Sequence, residues 1–261
     1  MKIVAVANRK GGVGKTTTTI NIATAMAAIG KKVLVLDLDP QGNATTSMGL
    51  DKKSCKYSSY DVFINSVDAQ KAVLETQIPG FCIMPSKPSL AGAEIELINI
   101  DKREYVLRRA LQSLSSDFDY ILIDCPPSLN LITVNALVAS NSVVIPLQCE
   151  FLALEGLTDL IKNINQIKKG FNPSLKVQGI VLTMYDKRNN LSAMVEKDVR
   201  EYFGDLVYQT VIPRSVRISE APSHGQPVIL YDLDCMGSQA YINLAAEFLT
   251  RNENKNFKQV A

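Results

Sequence analysis

An α/β fold, doubly wound around a mostly parallel sheet with helices on both faces, is predicted by three features of this 261-residue chain. Short apolar runs alternate with stretches of helical periodicity, the pattern of successive strand–helix–strand units. A glycine-rich loop stands between the first apolar run and the first helical stretch. Two later runs end on aspartate, which sets carboxylates at the sheet edge where such folds receive ligands. With 46% hydrophobic and 21% charged residues, the chain can bury one large core.

The predicted strands are 3–7, 32–37, 81–84, 120–124, 142–146, 177–183 and a short piece at 207–211. Helices are predicted at 16–29, 103–115, 131–139, 154–168, 192–203 and 237–249, from apolar spacing near 3.6 residues. The first of these puts Ile22, Met26 and Ile29 on one face and stops at Gly30, a favourable C-terminal signal. One domain over 1–250 is expected, followed by a polar tail at 251–261, rich in lysine and asparagine, that is expected to fray. No internal repeat or linker divides the chain.

Composition narrows the function classes. No apolar stretch reaches the length of a membrane span, and Met1-Lys2-Ile3 runs directly into the first strand, so a cytoplasmic protein without a signal peptide is expected. Cys55, Cys82, Cys125, Cys149 and Cys235 form no C-x-x-C pair and read as reduced thiols. The one histidine, His224, lies in a turn-like Ser-His-Gly with no serine elbow or catalytic-cysteine signature nearby. A net charge of +2 is too small to declare a nucleic-acid partner, so any such surface has to be a local patch.

The loop itself reads Arg9-Lys10-Gly11-Gly12-Val13-Gly14-Lys15-Thr16-Thr17. Its glycines allow successive backbone N–H groups to turn inward as an anion nest, and the helix that follows adds its unpaired N-terminal donors. In the pattern G-x-x-x-x-G-K-[ST] the lysine meets the outer phosphates of a nucleoside triphosphate and the hydroxyl holds Mg²⁺; here those are Lys15 and Thr16. The first position of that pattern is Arg9 rather than glycine, and a second lysine, Lys10, precedes Gly11-Gly12. No G-x-G-x-x-G follows the first strand, which excludes a dinucleotide site of Rossmann type.

The second strand ends in Leu36-Asp37-Leu38-Asp39-Pro40-Gln41-Gly42-Asn43. An apolar strand closing on two carboxylates is a poor structural choice unless they face a cation or polarise water, so a part in hydrolysis is expected. Asp119 to Ser128 contains an apolar strand ended by Asp124 and followed by Pro126-Pro127. Such an aspartate holds Mg²⁺ through water in nucleotide-hydrolysing proteins, although an ordinary strand-ending aspartate looks the same in isolation.

The form K-G-G-x-G-K-[ST] resembles the deviant Walker motif of the ParA/MinD ATPases. With the blocks at 36–45, 123–129 and 211–228 added, the whole of 1–250 is similar to the ParA/Soj chromosome-partitioning ATPases. That resemblance implies an ATPase requiring ATP and Mg²⁺, with Lys10, Lys15 and Asp39 catalytic, Lys10 reaching across a dimer to the partner's nucleotide and Asp39 orienting the attacking water. It implies nucleotide contacts from Lys10, Gly11, Gly12, Val13, Gly14, Lys15, Thr16 and Thr17, with Pro213 and Arg214 beside the adenine. Thr16, Asp37 and Asp124 fall in or near the Mg²⁺ shell. Arg188 and Arg217 fall on a DNA-binding surface, though either would otherwise read as a solvated charge.

The implied partners are non-specific double-stranded DNA, a ParB-type (Spo0J-like) centromere-binding protein and a second copy of the chain in an ATP-dependent homodimer, with nucleoid association when ATP is bound. Two relatives within the superfamily compete. A MinD-like membrane-associated regulator needs a C-terminal amphipathic anchor, and 251–257 offers a single bulky apolar residue, Phe257. An iron–sulfur carrier needs paired thiols at a dimer axis, where only the isolated Cys125 and Cys149 are available.

Overall fold

In the computed structural model, residues 1–114 and 116–253 are described. The elements in chain order are β1 (Lys2–Val6), α1 (Lys15–Ala28), β2 (Val33–Asp37), α2 (Asn43–Ser47), α3 (Ser59–Phe63), β3 (Leu74–Glu75), β4 (Phe81–Met84), α4 (Ala93–Leu97) and α5 (Val106–Ala110). They continue with β5 (Tyr120–Asp124), α6 (Leu131–Ala139), β6 (Ser142–Gln148), α7 (Ala153–Gly170), β7 (Lys176–Thr183), α8 (Asn190–Phe203), α9 (Val216–Glu220), α10 (Val228–Tyr231) and α11 (Met236–Glu253). Among the described residues the strands form one sheet in the order β3-β4-β2-β5-β1-β6-β7. All pairings are parallel except that of the edge strand β3 with β4.

Strands buried on both faces explain the unbroken apolar runs, because successive side chains point to opposite sides. Leu34 and Leu36 of β2 join the core layer beneath α6 and α7, where Ile132, Ala136, Leu157, Leu160 and Ile164 pack. Val33 and Val35 join the other layer, with Ile22 and Met26 of α1 and Tyr241, Leu244 and Phe248 of α11. Ile29, expected beside Ile22 and Met26, is exposed. It lies past the last turn, where Gly30 at φ +82° donates to Ala27 O and ends α1.

Three further differences from the sequence reading have identifiable causes. At 207–211 a single bridge from Ile180 to Val207 replaces the expected strand. There the amides of Gln209 and Thr210 donate to the Glu247 carboxylate, and Arg200 and Arg251 take the carbonyls of 207–209. The helix expected at 103–115 shortens to α5 between 3-10 turns, because buried Asn135 inserts its amide, accepting from Leu107 N and donating to Arg103 O. Finally, α11 runs to Glu253, three residues into the expected tail. Arg251, 8% exposed at its side chain, binds the Asp205 and Val207 carbonyls and Glu247 and lies 4.1 Å from the Tyr208 ring centroid. The rest of the expected tail, 254–261, lies outside the described residues.

In this strand order β1 sits between β5 and β6, so the connections diverge at its end. Ligands bind at such a switch point, outside the carboxyl ends of the strands. The glycine-rich loop occupies that place.

Candidate nucleotide-binding site

The loop from Asn8 to Gly14 leaves the end of β1 and enters α1. Gly12 and Gly14 have φ of +75° and +84°, conformations that an L side chain rarely adopts, so both positions call for glycine. Asn8 stiffens the start of the loop, its amide donating to Pro146 O and its carbonyl accepting from Lys10 N. Thr183, at the end of β7, donates to Val13 O at 2.9 Å and ties the far side. The sequence assigned no role to either Asn8 or Thr183. Asn8 lies two residues past β1, and Thr183 is the last residue of β7.

Lys15 opens α1 and is 7% exposed, its ammonium donating to Lys10 O at 2.9 Å. Burial lowers its pKa, opposed by the nearby Asp124, Cys125 and Asp39. Thr16 donates to Asp124 Oδ2 at 2.7 Å. Asp124 is fully buried, and among the described residues its Oδ1 has no hydrogen-bond partner. Burial, and then the neighbouring charge of Asp37, push its carboxyl well above the usual range, with the Thr16 bond opposing them. A dry, orphaned carboxylate oxygen beside a threonine hydroxyl is a fitting donor set for a hard divalent cation such as Mg²⁺.

Asp37 and Asp124 face each other across the β2–β5 register. Asp37 is equally buried but differently satisfied: Oδ2 accepts from Thr45 N at 2.9 Å and Thr45 Oγ1 at 2.7 Å, and Oδ1 from Asp39 N at 3.2 Å. Burial raises its pKa to about 6, with the Thr45 bonds acting against that rise. Both Asp37 oxygens thus accept from protein donors, Oδ2 from two and Oδ1 from the Asp39 amide. Asp39, also buried, stands two residues past the end of β2 and accepts from Gln41 N at 2.9 Å.

Lys10 pairs with Glu150 in the segment after β6. Gly11 lies beside Pro127, where an added Cβ would come to 3.9 Å. Pro213 bridges Tyr185, and Arg214 N donates to Tyr185 O, so this segment is reached from the loop through the end of β7. Arg188 and Arg217 leave these two adjoining segments. Arg188 is bound by Asp186, and Arg217 by Glu220 and Asp232, with the Tyr231 ring beneath its guanidinium. His224 stacks on the other side of this region against Tyr231, 4.9 Å between centroids, as a turn residue.

Sheet order, switch-point loop and buried carboxylates together define a P-loop nucleotide-binding protein whose loop carries an extra lysine. A family model described as an AAA domain matches residues 1–177. The chromosome partitioning protein ParA of Caulobacter vibrioides is 51% identical over 260 residues, 99% of this chain and 97% of its own, and the sporulation initiation inhibitor protein Soj of Bacillus subtilis is 50% identical over 94% and 97%. At that identity over nearly its full length, the chain belongs to the ParA/Soj family of chromosome-partitioning ATPases. Among solved structures, a Mycobacterium smegmatis cobyrinic acid a,c-diamide synthase with bound ATP analogue and magnesium superposes with a TM-score of 0.85 at 37% identity, covering 97% of this chain and 96% of that one. The cell-division ATPase MinD of Pyrococcus furiosus superposes at 0.80 with 25% identity, over 95% of this chain and 98% of its own. Among the described residues no helix is long and apolar enough to cross a membrane.

Proposed function

We propose that this chain is an ATP-driven DNA-segregation switch: it binds ATP with Mg²⁺, dimerises, holds DNA without reading its sequence, and lets go after hydrolysis. The observation that carries this reading is the convergence of Lys15, Thr16, Asp124 and Asp39 at one sheet edge, each buried or nearly so, around a glycine nest. Phosphoryl transfer needs positioned charge more than covalent chemistry. The amides of 11–17 cradle the phosphates, Lys15 meets the outer ones, and Asp39 orients the attacking water. Thr16 and Asp124 hold the cation, which neutralises charge on the phosphate oxygens.

Lys10 supplies its charge to the partner's nucleotide, which requires it to leave Glu150. Pro213 and Arg214 flank the adenine. Arg188 and Arg217 contact phosphates of random duplex, and dimerisation doubles a patch that is weak in one subunit. A ParB-type centromere-binding protein stimulates hydrolysis. The protein is cytoplasmic and gathers on the nucleoid in its ATP state. Supporting this reading over a MinD-like role are the partitioning proteins ParA and Soj, at about twice the identity of the MinD structures. Co-sedimentation with duplex DNA in ATP, in ADP and without nucleotide tests it. DNA should pellet the protein in ATP alone, and equal binding in all three overturns the switch.

A further inference from the structure

Resting on the reading of Asp39 as the residue that orients water, we infer that Thr45 and Asp37 are the positioning residues that hold Asp39 in its working place. Among the described residues the Asp39 side chain has a single hydrogen bond, from Gln41 N, so its aim depends on where its backbone sits. That backbone is clamped. Asp37 Oδ1 accepts from Asp39 N, and Asp37 Oδ2 accepts from both the amide and the hydroxyl of Thr45, which closes the turn from 37 to 45 around one carboxylate. Within the turn, Gly42 at φ +61° donates to Asp39 O at 2.8 Å and begins α2.

Thr45 also reaches outward. Its hydroxyl oxygen accepts from Ser86 N at 3.1 Å, in the segment that follows β4, the sheet neighbour of β2. The Thr45 hydroxyl therefore donates to Asp37 while accepting from Ser86, and Asp37, Thr45 and Ser86 are all fully buried. Two strand ends and α2 meet at that one atom. Two register-paired aspartates thus divide the work: Asp124 keeps a free oxygen for the cation, and Asp37 spends both of its oxygens on the turn that presents Asp39. Burying a carboxylate costs less when its lone pairs are met, and Thr45 meets two of those of Asp37.

The test is the split between turnover and binding. Thr45→Val keeps the shape but removes the hydroxyl; kcat should fall by about 10²-fold, the effect of roughly ångström misplacement of a reacting group, while the Kd for ATP stays at the wild-type value. Thr45→Ser, which restores the hydroxyl, should recover turnover. If Thr45→Val does not fold, Asp37→Asn, of equal volume, is measured in its place and should show the same split. Unchanged kcat, a loss of ATP affinity in proportion to kcat, or failure of Thr45→Ser to recover turnover each overturns the inference. Asp39→Ala is run beside them: if it turns over normally, the reading of Asp39 itself fails, whereas a dead Asp39→Ala with a fully active Thr45→Val removes only the positioning role.

Discussion

The nucleotide edge and the arginine surface carry charge in opposite ways. At the edge, Lys15, Asp37 and Asp124 are 7%, 0% and 0% exposed, and each shifts from its ordinary pKa chiefly because it has left water. On the surface, the Arg188 and Arg217 side chains are 89% and 54% exposed and rest on nearby carboxylates, Asp186 for the first and Glu220 and Asp232 for the second. Electrostatic interactions strengthen where solvent is excluded and weaken where salt and water screen them. Charges at the nucleotide edge are desolvated before any ligand arrives, while Arg188 and Arg217 stay solvated and exchangeable, as the proposed contact with duplex phosphates requires.

The largest effect is expected from Lys15→Ala, which should abolish nucleotide binding, measured with a fluorescent ATP analogue; Asp39→Ala should retain ATP and accumulate as a dimer by light scattering. A strictly monomeric Asp39→Ala in ATP would contradict the assignment of Asp39 to a step after dimerisation. Next, Lys10→Ala should bind ATP and hydrolyse it about 10²-fold more slowly or worse, the loss typical of one preorganised charge at a developing anion. Normal phosphate release by that variant would leave Lys10 as no more than the partner of Glu150.

The buried carboxylates also give a pH dependence whose sign follows from their direction. Asp37 and Asp124 are raised, Asp37 to about 6, so the folded state binds protons more tightly there than the unfolded chain does. Charging Asp37 opposes folding above about pH 6, charging Asp124 opposes it in the same direction, and the opposition fades as pH falls towards the ordinary carboxylate range. Asp186, Glu196 and Glu247 are lowered and lose their contribution only at more acidic pH. Thermal melting of the nucleotide-free protein should therefore move upward from pH 7 to pH 5. An unchanged or lower midpoint would refute the dry-site account. The smallest effect belongs to the surface: Arg188→Ala and Arg217→Ala should each leave stability and ATP-driven dimerisation intact. Each lowers the log–log salt slope of duplex binding by about 0.9 per lost contact. Fluorescence anisotropy at several salt concentrations reads this, and equal slopes would return both arginines to plain surface charges.

Most of the sheet was legible because its strands are locally encoded. Apolar runs at 81–84 and 120–124 coincide with β4 and β5, and α6 matches its predicted 131–139. Five-residue helices such as α2 and α9 went unseen, since one turn and a half carries no periodicity. The two-residue β3 has no pattern of its own either, and forms because β4 offers it an edge.

The sequence by itself determined the loop: its glycines, Lys10, Lys15 and Thr16 are contiguous, and a strand before and a helix after are enough to state what such a loop does. Asp37, Asp39 and Asp124 were visible as carboxylates at strand ends for the same reason. Only the tertiary structure decided what each of those carboxylates touches. Among the described residues Asp124 Oδ1 is left without a partner while Asp37 accepts from Thr45 on one oxygen and from Asp39 N on the other, a distinction set by α2 folding back over β2. Likewise Arg251, one lysine-rich stretch away from the end of the chain, reads as a loose charge until Tyr208, Glu247 and the carbonyls of 205–207 close on it. Local chemistry is written in neighbours along the chain, and the satisfaction of a buried charge is written in neighbours across space.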